Sequence, residues 1–345
     1  SAISNDEGRL LASFDGEDMM NSRYEYMENG KMMNKEIIKY NYYYSSENIS
    51  QGSVMLQWPD HSDSILILYY GQLLFKKTNG EDDISSFGMN MASVNLKSND
   101  GIGKVVIRDS VILKDTIHYG RIIPVKHANG RDWWILVGEI NQPVFYSVLV
   151  DSKGARVMGQ QMIDFTFSNG SGQASFSPDG SRFIVYNAVK RNSRGGEFAV
   201  FDFDRCSGLL SNAQRHITAG NFGGTAISPS GRYAYQNARD SAWRYDLQAA
   251  DILASRELIA VYDGFKAPFS TSLYQMQLAP DGKIYSCATN GVNYLHVIHS
   301  PDEENCQYQQ HGIKLPKYAG VSVPNFPHYR LGPLDGSPCD TLGLN

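Results

Sequence analysis

The 345-residue chain is 42% hydrophobic and 19% charged, and its 31 basic and 36 acidic side chains leave a formal charge of -5 with the two signs scattered. No basic stripe suits a nucleic-acid backbone or an anionic membrane, and the longest apolar run, Ile65 to Tyr70, falls far short of the ~20 residues a membrane helix needs. A chain this long outgrows one ordinary core, so the expected solution is a set of units that each carry a small core of their own.

The start shows no secretory leader: Ser1 runs directly into Ala2-Ile3-Ser4, as in a mature or trimmed product. Ile3 to Leu11 reads strand, turn, strand, with the turn at Asn5-Asp6-Glu7-Gly8. The same grammar returns at Trp58-Pro59-Asp60-His61 before Ile65 to Leu68, and at Lys126 to Val137, where Asn129-Gly130 makes the turn. Met19 to Ser50, which carries Asn41-Tyr42-Tyr43-Tyr44, and the polar stretch Asn79 to Asp100 interrupt the pattern and are expected to hold long loops. From Ala174 onward the phrase becomes regular. Ser177-Pro178-Asp179-Gly180, Ser228-Pro229-Ser230-Gly231 and Ala279-Pro280-Asp281-Gly282 lie 51 residues apart. In each, Pro presets φ for the first turn position, Asp or Ser closes the turn, and Gly takes the left-handed position. Third strands follow at Glu197 to Asp202, Ser241 to Asp246 and Asn293 to Ile298. Asp246 to Leu258 lacks strand alternation and reads as one or two helical turns on a loop.

A period near 50 residues in an all-β setting predicts a single β-propeller of four-stranded blades. Blades start near residues 3, 58, 126, 174, 225 and 276, and a closing strand is expected at Val321-Ser322-Val323-Pro324-Asn325-Phe326. Seven blades are expected, six being the alternative. The propeller spans 1–330, and 331–345 is a tail packed on the ring or leaving it.

Several stretches resemble a group of large secreted β-propeller proteins of Bacteroidota. They are His127 to Trp134, Phe201 to Ser211, Tyr245 to Ile252, Gln277 to Tyr285, Pro324 to Pro327 and Leu331 to Gly343. The resemblance covers most of the chain and is weakest over residues 1–110. It implies export by the type IX secretion route and an extracellular or outer-surface location. That family brings no catalytic residues to carry over.

Cys206, Cys287, Cys306 and Cys339 are widely spaced with no C-x-x-C, which argues against a zinc ribbon or a thioredoxin-like site. Cys339 sits in a polar tail that a bridge would pin, and Cys306 is its expected partner, with other pairings or none left open. Asp202 and Asp204 share one face of a strand and, with Ser207, are candidate calcium ligands. The structural reading outweighs that one, because Asp202 corresponds to Asp246 in the next repeat and such an aspartate commonly caps a turn. No other cofactor is called for. Trp133 and Trp134 read as inter-blade core in preference to a sugar platform. The early tyrosines, Tyr24, Tyr26, Tyr40, Tyr42, Tyr43 and Tyr44, suit either strands or a recognition surface.

No Gly-x-Ser-x-Gly elbow or H-E-x-x-H helix is present, and His296 and His299 point to opposite faces of a strand. The expected function is therefore a noncatalytic extracellular binding or scaffolding propeller. Its partner would be a cell-surface protein, a glycan or another copy of itself. Phe222, Gly223, Tyr274 and Tyr318, on loops bordering the innermost strands, are the candidate contact residues. A secreted hydrolase or lyase acting on polysaccharide or a lactone, with acid and base drawn from separate blades, is the alternative, and a filament or adhesin component a third.

Overall fold

The structure is a computed structural model that describes residues 1–34, 51–78, 81–168, 170–189, 195–219, 222–320 and 322–341. Among these residues there is no helix, and the strands form six antiparallel sheets, the blades of a β-propeller fold. Tyr40 and Tyr42 to Tyr44 lie outside the described residues.

One turn recurs in every blade. Gly8, Gly130, Gly180, Gly231 and Gly282 have φ between 74° and 80°, the left-handed region that glycine occupies without steric cost. Their N–H groups bond to the carbonyls of Asn5, His127, Ser177, Ser228 and Ala279 at 2.8–3.0 Å. The remaining blade uses the His61 N–H to Trp58 O at 3.0 Å, with Asp60 at φ 63°. Side-chain oxygens of Asn129, Asp179, Ser230 and Asp281 then accept the N–H two residues on.

The chain divides into two compact units. Unit 1 comprises Ser1–Thr166, Arg205–Gly208 and Pro324–Asn345. Its first sheet has three strands, β1 (Ala2–Ser4), β2 (Leu10–Phe14) and β3 (Met19–Asn21). Its second has β4 (Ser53–Gln57), β5 (Ser64–Thr78), β6 (Glu81–Asn95) and β7 (Lys104–Ile117). Its third has β8 (Pro124–Lys126), β9 (Trp133–Gly138), β10 (Val144–Asp151) and β11 (Gly154–Met162). Ile3, Phe14 and Met19 pack with Ile67, Tyr69 and Val94, while Leu56, Leu68 and Met89 pack with Trp133, Ile135 and Val150. Trp133 and Trp134 are both buried, and neither offers a platform.

The loop expected over Asn79 to Asp100 is instead largely strand β6, paired with β5 on one side and β7 on the other. Met89 and Met91 enter one core and Ala92 and Val94 the other, so both faces are buried and no polar face marks the strand.

The described residues form six blades, not the expected seven. Residues 322–341 form no strand, and four prolines among them, Pro324, Pro327, Pro333 and Pro338, remove ladder donors. This segment secures unit 1 through side chains instead. Asn325 Nδ2 donates to Ser53 O at 2.9 Å and Ile122 O at 2.8 Å. Tyr329 OH donates to Met55 O at 2.7 Å, and its ring meets Trp133 edge-on at 5.9 Å. Cys339 is bonded to Cys206, not to the expected Cys306. The tail runs beside the Arg205–Gly208 turn, where the Arg205 guanidinium donates to Gly332 O and the Leu334 N–H bonds Ala128 O, which brings the two Cα atoms to 5.6 Å. Cys306 is a free thiol buried against Tyr235 and Ile298 in unit 2.

Unit 2 comprises Phe167–Asp204 and Leu209–Val323. Its first sheet is β12 (Gly170–Phe176), β13 (Arg182–Val189), β14 (Gly195–Asp204) and β15 (Leu209–Ala219). The second is β16 (Gly224–Ile227), β17 (Tyr233–Asn237), β18 (Ser241–Asp246) and β19 (Glu257–Val261). The third is β20 (Leu273–Leu278), β21 (Ile284–Ala288), β22 (Tyr294–Ile298) and β23 (Tyr308–Lys314). Gln173 laces the three first strands together. Its Oε1 accepts the N–H groups of Thr225 and Met276, each at 3.0 Å, and its Nε2 donates to Met276 O. Between β18 and β19 the chain makes turns, one closed by Ser255 N–H to Asp251 O at 3.2 Å, and no helix.

Candidate functional site

The loops that approach β16 and β20 carry the residues the sequence points to. Phe222 is half-buried, and its ring meets Tyr274, the second residue of β20, at 6.3 Å in a T-shaped contact. Gly223 has a backbone reason for its identity: a Cβ there would stand 1.8 Å from Asn237 O. Its role is to let β16 approach β17, and contact with a ligand is not needed to explain it. Tyr318 is 67% exposed and makes no ring contact with the Phe222–Tyr274 pair among the described residues. The structure thus joins Phe222, Gly223 and Tyr274 and leaves Tyr318 separate.

Two further features belong to this rim. Arg239, in the turn between β17 and β18, is exposed, has φ 58°, and places its guanidinium carbon 6.0 Å from the Phe222 ring centre. The chain from Tyr262 to Leu273 then forms a closed loop whose two ends meet at neighbouring residues. Tyr262 N–H bonds Asp240 O at 2.9 Å, and Leu273 N–H bonds Arg239 O at 2.8 Å. Inside it, the Tyr262 hydroxyl donates to Phe265 O and accepts from Ser270 Oγ at 2.9 Å and the Thr271 N–H at 3.2 Å. Asn290 Nδ2 bonds Ser270 O at 2.9 Å and holds the loop to the strand connection beyond β21. Packing of this kind around an internal side chain is typical of compact Ω-loops, which frequently carry function. Lys266 is exposed on the loop, and Phe269 is held 60% exposed.

Within the loop, Asp263 pairs with His311 of β23, Oδ2 to Nε2 at 2.8 Å, and the His311 ring lies 4.2 Å from Phe265. Burial opposes the Asp263 charge, but the Phe265 N–H and the His311 side chain outweigh it and hold this carboxyl below the usual range. The His311 N–H donates to His296 Nδ1 at 3.0 Å, and burial pushes the His296 imidazole down to about 4. The arrangement braces the loop and exposes no free base.

Solved structures resemble this chain in fold alone. A provisionally named 6-phosphogluconolactonase from Bacteroides uniformis has a TM-score of 0.47 at 14% identity, over 77% of this chain and 82% of that one. A similarly named protein from Bacteroides fragilis gives 0.45 at 14% identity, over 78% and 82%. A provisionally named TolB from Agrobacterium tumefaciens gives 0.41 at 16%, over 80% and 87%. No activity passes to this chain from likenesses at this level. No family model and no curated protein matches it.

The metal candidates find other partners. Asp202 accepts from Arg182 and from Asn212 Nδ2, and the corresponding Asp246 accepts from Arg232 and the Gln248 N–H. Among the described residues no group of three His, Cys, Asp or Glu side chains could hold a metal ion. In unit 1 the carboxyls of Asp115 and Glu139 converge on Tyr146. Its hydroxyl donates to Asp115 and lies 3.5 Å from Glu139, so the tyrosine bridges the two carboxyls. Burial, then the Asp115 charge, raises the Glu139 carboxyl above its usual range.

Sequence reasoning missed Arg239, Lys266 and Phe269. A proline flanked by aromatics in a connector, Phe265-Lys266-Ala267-Pro268-Phe269, was the available signal.

Proposed function

We propose that this protein is a noncatalytic binding propeller whose ligand, a glycan, is taken across the unit 2 rim formed by Phe222, Tyr274 and the 262–273 loop. The observation that carries this reading is the loop itself. A hydrogen-bonded scaffold holds Phe269 60% exposed, on a loop whose last residue, Leu273, runs directly into Tyr274 of a half-buried aromatic pair. Rigid aromatic area of this kind costs little entropy to use in recognition. The proposed location is extracellular or on the outer cell surface. A disulfide between Cys206 and Cys339 supports an oxidising compartment, and the type IX route rests on family resemblance.

The test is a thermal-shift screen of the full chain against a glycan panel. A stabilising glycan is expected, and Phe222→Ala and Phe269→Ala should abolish that shift while the unliganded melting temperature stays put. A panel with no stabilising member, or a shift untouched by both substitutions, sinks the assignment. The first of those outcomes turns the search to a cell-surface protein or self-association.

A further inference from the structure

We propose that the glycan taken by this rim is acidic, and that Arg239 binds the carboxylate of a uronic acid whose ring lies against Phe222. The inference rests on the binding reading above and names the ligand's charge. Arg131, Arg156, Arg182, Arg215, Arg232 and Arg244 each hold a carboxylate. Arg239 is exposed and holds none among the described residues, and the adjacent Asp240 makes no ion pair with it.

The backbone sharpens the contrast. A left-handed φ of 58° is a conformation that a long side chain adopts at a cost and that Gly or Asn adopts readily. The turn is not loose, because Ala238 N–H bonds Ser241 O at 2.8 Å and Leu273 N–H bonds Arg239 O at 2.8 Å. An arginine kept in a strained, fixed turn, with no carboxylate partner among the described residues, points to a role outside the fold. Its guanidinium carbon stands 6.0 Å from the Phe222 ring centre, at the outer range of cation–π attraction, which favours this position and leaves its planar fork of donors for a carboxylate. A ligand that offers one ring face and one carboxylate on the same residue satisfies both groups together.

The experiment is calorimetric titration of the full chain with an oligogalacturonate and with its methyl ester, which has the same rings without the charge. Wild type should bind the acid roughly tenfold more tightly, as a charge-assisted bidentate pair warrants, and lose that preference as salt is raised. Arg239→Gln should bind both forms as wild type binds the ester, and Arg239→Lys should keep part of the preference, having the charge but not the fork. Unchanged melting temperatures in both variants show that the turn has survived. If it has not in Arg239→Gln, the salt dependence and ester comparison in wild type decide alone. Equal binding of acid and ester by wild type overturns the acidic-ligand inference and leaves the binding reading standing. Failure of both probes to bind overturns the two for this glycan class.

Discussion

Unit 2 repeats at a regular spacing and unit 1 does not, yet in both the first strands of the blades need partners for backbone groups that no further strand covers. In unit 2 the partner comes from within the repeat. Gln173 on β12 reaches the backbone of Thr225 and Met276, and it can do so because Gly224 has no side chain; a Cβ there would stand 2.3 Å from Gln173 Oε1. In unit 1 the partner comes from the other end of the sequence. Asn325 bonds Ser53 O and Ile122 O, Tyr329 bonds Met55 O, and the Cys206–Cys339 bridge locks the segment down. An amide side chain thus does the same work in each unit. A regular repeat can supply it locally, whereas an irregular one borrows it from the chain terminus and needs a covalent tie to keep it.

The largest effect should follow from cutting that tie. Cys339→Ser opens a link spanning 133 residues and should destabilise unit 1 by roughly 2–5 kcal/mol, since the bridge restricts the unfolded chain. Urea unfolding followed by the fluorescence of Trp58, Trp133 and Trp134 would measure it. An unchanged midpoint would mean that Asn325 and Tyr329 suffice. Gln173→Leu is the counterpart in unit 2. It strands two buried N–H groups and should cost about 2–3 kcal/mol, with faster hydrogen exchange at Thr225 and Met276 and none of that change in unit 1. Exchange that rises equally in both units would erase the distinction drawn between them. The smallest effect concerns Glu139. Its folded carboxyl titrates above the unfolded one, so between those two values the folded state binds more protons and stability falls as pH rises. Glu139→Gln should flatten that slope in a pH series of urea midpoints, and a slope that persists would assign it to another carboxyl.

Legibility differs between the units in the same way. The 51-residue spacing and the turn glycines were readable because a left-handed turn needs glycine wherever it occurs. Strand β6 was not readable, since Ser85, Ser86, Asn90, Ser93 and Asn95 make it look like a polar connector until one core takes Met89 and Met91 and another takes Ala92 and Val94. At the candidate site, Phe222 and Tyr274 could be placed from their position before and within first strands. Gly223, chosen with them, turned out to serve strand approach. Arg239 carries no local signature, because its meaning lies in a backbone angle and in exposure, and Phe269 carries only that of a proline flanked by aromatics.

What the sequence determined by itself is the blade and its all-β repetition, because turn chemistry and strand alternation are local and act within a few residues. Tertiary structure alone decided the count of six, the choice of Cys206 over Cys306 as partner of Cys339, and the meeting of Arg239 with Phe222. Each of these depends on which distant segments come within a few ångströms, and no spacing along the chain encodes that.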